Sequence, residues 1–145
     1  LRRHEVEERE KDVDASTKAV GLLKCAVLLV GVHSITLGIF IYWFTATFYR
    51  LFFHVDVENI FFVRQSGIFL FLAGLFYLFP LFDIHKFNRI ILLVVISKVS
   101  AVIFLITNAK ETMTPIMIYL AAAGDATMAI ALAAVYAVCI YKRAV

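Results

Sequence analysis

Four long stretches of mostly apolar residues lie at about 22–48, 61–82, 90–107 and 115–141, the last three separated by short polar turns. A helix needs about 20 apolar residues to cross a hydrocarbon layer roughly 30 Å thick, and each stretch is long enough or nearly so. The chain has 145 residues, of which 63% are hydrophobic and 17% charged. A soluble domain carries about a quarter charged residues, and a chain this short cannot bury so much apolar surface in one core. Lipid is therefore the expected solvent. In lipid every backbone N–H and C=O must be satisfied within the protein, and no strand-like alternation or internal repeat competes with helices. The expected fold is all-α, an integral membrane four-helix bundle.

Residues 1–20 differ from everything after them. Six acidic and five basic side chains alternate over residues 1–18, which fits a solvated helix or a disordered tail. A signal peptide would need a short apolar core at this place. Residues 21–145 form the bundle. Residues 49–65 mix aromatics with charges and fit an interfacial segment between the first two spans. Pro115 suits the first turn of the last helix.

Ten basic residues, Arg2, Arg3, Arg9, Lys11, Lys18, Lys24, Lys86, Arg89, Lys142 and Arg143, fall on the side that carries both termini. Three, Arg50, Arg64 and Lys110, fall on the other. Basic loops stay in the cytoplasm, so both termini are expected there. The same distribution accounts for the net charge of +3 without nucleic acid, whose binding motifs are missing. Cys25 and Cys139 stand alone, with no CxxC, and are expected to be packing residues rather than a disulfide or a metal site.

Three ionisable residues fall near the middle of three different spans. At about 1.5 Å per residue, Lys98 lies roughly 12 Å into the third span and Asp125 roughly 15 Å into the fourth. His33 reaches a similar depth in the first. A charge at that depth costs a few kcal/mol. Lys98 and Asp125, on neighbouring antiparallel helices, are therefore expected to be partners, with Ser97, Ser100 and Thr127 adding hydrogen bonds. The pair has two readings: a lock between helices, or part of a proton relay, ion path or headgroup site. His33 reads as a histidine bonded to a neighbouring hydroxyl. Haem would need a second histidine at matched depth, and His33 with Asp125 is an incomplete metal shell, so no cofactor, metal or catalytic set is expected.

Small residues mark packing faces, because close backbone approach drives helix association in lipid. Gly31, Ser34 and Gly38 recur at i, i+3, i+7 on the first helix, and Gly67 and Gly74 at i, i+7 on the second. The glycine face of the first helix points about 160° away from His33 at 100° per residue. This helix is expected to contact protein on two sides, either within its own bundle or against a partner subunit. The phenylalanine-rich run FFHVDVENIFF reads as lipid-facing filler or as a contact for a hydrophobic ligand or partner.

The runs VRQSGIFLFLAGLFYL and AGDATMAIALAAVYAV resemble the second and fourth helices of small four-helix bacterial membrane proteins of the DoxX-like type. The resemblance starts at Arg64 and leaves out the first helix and its tail. It implies a compact four-helix bundle in a bacterial inner (cytoplasmic) membrane, associated with respiratory or redox systems, and it supplies no catalytic residue.

With no catalytic motif, short loops and a two-sided first helix, the leading expectation is a non-catalytic accessory or assembly subunit of a larger membrane complex. Its partners would be the lipid bilayer and other membrane subunits or further copies of itself. The alternative is a small oligomeric transporter or proton-conducting protein using His33, Lys98 and Asp125. An enzyme acting on a lipid or quinone is a third class, and would need a midplane pocket lined by those residues.

Overall fold

Helix dominates wherever the apolar stretches run. In the computed structural model five α-helices follow one another: α1 (Arg2–Trp43), α2 (Thr45–Phe53), α3 (Ile60–Tyr77), α4 (Asn88–Asn108) and α5 (Pro115–Ala144). Single 3₁₀ turns at Phe79–Leu81 and Ala109–Glu111 follow α3 and α4. The structure describes the backbone of residues 2–54, 56, 59–111 and 115–144, and the side chains of residues 17–54, 56, 59–110 and 116–139. Among the described residues there is no strand, and four helical segments are long and apolar enough to cross a membrane: Thr17–Trp43, Ile60–Leu81, Asn88–Asn108 and Ile116–Cys139.

The first apolar stretch is not one helix. Hydropathy carries it to Phe48, but α1 stops at Trp43 and α2 begins at Thr45. Phe44 between them leaves helical geometry, at φ −114° and ψ 38°. The buried Thr45 hydroxyl donates to the carbonyl oxygens of Ile41 at 2.7 Å and Tyr42 at 3.1 Å, supplying partners to carbonyls at the helix end. Hydropathy is blind to such a break, because the residues on both sides are equally apolar. Beyond α2, His54 adopts the left-handed conformation at φ 52°. Asn59 then caps α3, its side chain accepting from the Phe61 N–H at 3.0 Å as N-cap residues do.

The helices are arranged in the order α3, α1, α5, α4, with α3 and α4 touching little. Thus α1 is central, covered by α3 on one face and by α5 on another. Its contact with α3 is set by glycines. A Cβ built on Gly31 would lie 3.3 Å from the Gly74 carbonyl oxygen, and one on Gly38 would lie 2.7 Å from that of Gly67. The two helices therefore meet backbone to backbone.

The molecule has two unlike halves. At the end carrying the termini, Leu23, Val27 and Val30 of α1 pack with Tyr77, Ile84, Ile91, Val94 and Leu132 in one buried apolar core. At the α2 end the helices enclose a cavity instead. Large apolar side chains such as Leu29, Phe69, Phe82, Leu93 and Ile130 cover the outer surface, far more apolar exposure than a soluble monomer shows.

Candidate functional site

The cavity measures about 530 Å³ and lies between α1, α2, α4 and α5, with Leu70 of α3 at its edge. Its walls are built by periodicity. His33, Ser34, Leu37 and Ile41 follow helical spacing along α1, as do Lys98, Ala101, Phe104 and Leu105 along α4. On α5 the lining residues include Met117, Ala121, Gly124 and Asp125. Small residues at 101, 121 and 124 leave the space open. A Cβ on Gly124 would meet nothing within 4 Å. Phe48, Phe52 and Phe53 of α2 line the far end, part of an aromatic group in which Phe48 packs on Phe52 with ring centroids 4.7 Å apart.

Polar groups gather at one end only, where the cavity meets the packed half. Lys98 Nζ donates to Asp125 Oδ1 at 2.6 Å. The two side chains are 7% and 17% exposed, so the contact is largely shielded and the low local dielectric strengthens it. Ser34 is 0% exposed, and its Oγ has no hydrogen-bond partner. His33 borders the cavity as well, and among the described residues its ring makes no hydrogen bond. The structure thus brings His33, Lys98 and Asp125 to one place and adds Ser34 to them.

The hydroxyls expected to support the pair do something else. Ser97 Oγ bonds to the Tyr77 hydroxyl at 2.5 Å, tying α3 to α4. The Thr127 hydroxyl donates to the carbonyl oxygen of Ala123 at 2.8 Å. Ser100 is exposed. A helical serine or threonine finds the carbonyl one turn back more readily than a partner on another helix, and Ser97 faces α3 rather than α5. The Ser or Thr hydroxyl expected to meet His33 from a neighbouring helix does not do so among the described residues, and Ser34, next in sequence, does not substitute for it. Consecutive residues on a helix point about 100° apart.

Gly31, Gly38, Gly67 and Gly74 lie at the α1–α3 contact, on the far side of α1 from His33. Ser34, grouped with them by spacing, borders the cavity instead. The cavity itself is legible in retrospect as small residues, Ala101, Ala121 and Gly124, set on the faces of α4 and α5 that carry Lys98 and Asp125. Among the described residues no three His, Cys, Asp or Glu side chains gather in one place.

Comparison with family models gives no match, and neither curated proteins nor solved structures match the chain. The chemistry of the site rests on its geometry.

Proposed function

We propose that this is an integral membrane protein that binds a lipid-soluble small molecule in the half-depth cavity, with both termini in the cytoplasm. The observation that carries it is a largely apolar cavity whose lining includes His33, Ser34, Lys98 and Asp125, with Lys98 paired to Asp125 and the Ser34 hydroxyl fully buried and unpartnered. A buried hydroxyl left without a partner costs about 1–3 kcal/mol, and such groups are normally met by water or a ligand. The volume falls within the roughly 300–1,000 Å³ of small-molecule sites, which are mainly apolar with a few convergent polar groups. The ten-to-three division of basic residues supports the orientation. The resemblance to DoxX-like proteins supports a bacterial inner membrane as the location.

The packed half weighs against a conduit. Leu23, Val27, Ile91, Val94 and Leu132 are each at most 1% exposed, so the polar group opens towards one side only. The two-sided packing of α1, one of three features behind an accessory-subunit role, is met within the chain by α3 and α5. Lys98, Asp125, His33 and Ser34 act in binding.

The test is to purify the protein in a mild detergent and identify what is extracted with it by mass spectrometry. One lipid-soluble compound near one per chain is expected, lost in Gly124→Leu, whose side chain would enter the open space. Only bulk membrane lipid, in the same proportions from both proteins, would overturn the proposal. Recovery within a larger particle, with no such compound, would favour the accessory subunit.

A further inference from the structure

The polarity of the cavity runs opposite to that of an ordinary membrane lipid. A phospholipid keeps its charged head at the interface and its tails in the bilayer centre. Here the polar groups lie deep and the aromatic rings lie towards the α2 end. Asp125 is eight residues along α5 from Met117, and Lys98 six residues along α4 from Phe104. At about 1.5 Å per residue the polar floor is therefore roughly 9–12 Å below the aromatic end. At that end the lining consists of Phe48, Phe52, Phe53 and Met117, with no charged side chain among the lining residues. Arg50, nearby in sequence, is turned to Asp56, which it meets at 2.9 Å with both side chains exposed.

Charge on the floor is balanced. Lys98 and Asp125 already neutralise one another, and a second buried charge of either sign would meet one repelling neighbour for each attracting one. Hydrogen-bonding capacity is not used up. An ammonium has three N–H donors and a carboxylate accepts at both oxygens, while among the described residues Lys98 and Asp125 share a single bond. Ser34 Oγ and the His33 ring can each donate or accept. The floor therefore offers both donors and acceptors but no net charge.

Resting on the binding role proposed above, we infer that the occupant is an uncharged amphiphile held head-inward. An oxygen-bearing head that both donates and accepts hydrogen bonds lies against Ser34, Lys98, Asp125 and His33, and its apolar body extends to the phenylalanines of α2. A hydroxyl head and an ester-plus-hydroxyl head share this chemistry, and both are set against charged heads below.

The test holds the tail constant and changes the head. The full chain in maltoside detergent is titrated with dodecanol, monododecanoylglycerol, dodecyl phosphate and dodecyltrimethylammonium, reading the thermal midpoint. A saturable rise is expected with at least one uncharged head, half-saturating at a concentration tenfold or more below that of either charged head. Which uncharged head is stronger separates the simple alcohol from the glyceride. Ser34→Ala should weaken the uncharged ligand about tenfold while folding normally, and Gly124→Leu should abolish its effect. Equal or stronger stabilisation by a charged head would overturn the inference and leave the cavity as a binding site. No saturable shift with any compound, and none lost in Gly124→Leu, would overturn both. Orientation is read by fluorescence in the double variant Trp43→Phe, Phe52→Trp, whose single indole sits at the aromatic end. There 12-bromododecanol should quench the introduced tryptophan more strongly than 2-bromododecanol, and the reverse order would overturn head-inward binding.

Discussion

Gly38 and Gly67 present their backbones to each other. A Cβ on Gly38 would lie 2.7 Å from the Gly67 carbonyl oxygen, and a Cβ on Gly67 would lie 2.9 Å from that of Gly38. Gly31 and Gly74 repeat the relationship one heptad away. At Gly38 and Gly67 no residue but glycine fits without moving a helix. The contact sets how closely α1 and α3 approach, and so leaves the opposite face of α1 to line the cavity.

The glycines should differ in sensitivity. In Gly38→Ala the new Cβ meets the backbone nitrogen of Phe71 at 2.5 Å, and backbone cannot swing away. A loss of about 1–3 kcal/mol is expected from overpacking. In Gly31→Ala the nearest atoms belong to the Leu78 side chain, which can change rotamer, so the loss should be smaller. Gly21→Ala meets nothing within 4 Å and should gain up to about 1 kcal/mol from helix propensity. Unfolding midpoints of the three variants, measured in one detergent, check the order.

Lys98 and Asp125 should show strong coupling. Removing one partner leaves the other buried without compensation, at a cost of about 3–5 kcal/mol. Lys98→Met and Asp125→Leu should each be destabilised on that scale, and the double variant should recover most of the loss. A double-mutant cycle in unfolding free energy measures it. Additive losses would show that the two side chains do not depend on each other.

The turn between α3 and α4 should loosen in acid. Asp83 Oδ1 accepts the N–H groups of His85 at 2.9 Å and Lys86 at 3.0 Å. The Lys86 amide, assisted by that of His85, holds its carboxyl below the ordinary 3.8. A carboxyl depressed on folding contributes stability above its unfolded value, and the contribution is lost as pH falls through the folded value. The amide proton shifts of His85 and Lys86, followed by NMR, should therefore show a titration step below the ordinary carboxylate range. In Asp83→Asn that acid titration should vanish.

The four apolar segments are plain in the sequence because hydropathy is a local property, summed over about 20 neighbouring residues. The depth of Lys98 and Asp125 follows from the same count, since rise per residue is fixed. The glycine spacing on α1 and α3 is readable in the same way. The break at Phe44 is not, because it depends on one backbone conformation and one threonine hydroxyl among residues of equal hydropathy. The hydroxyl partners are hidden for a similar reason: Thr127 bonds within its own helix and Ser97 turns to Tyr77, choices set by local geometry and helix rotation.

By itself, then, the sequence determined an all-helical chain with four segments suited to lipid, a polar group at their mid-length and small residues at regular spacing. Only the tertiary structure decided which faces meet. It placed the glycine face of α1 on α3, turned Ser34 and His33 towards α4 and α5, and filled one half of the interior while leaving the other hollow. Side-chain identity is written residue by residue. Whether a space between helices is filled depends on several distant side chains at once, and on how closely two backbones approach.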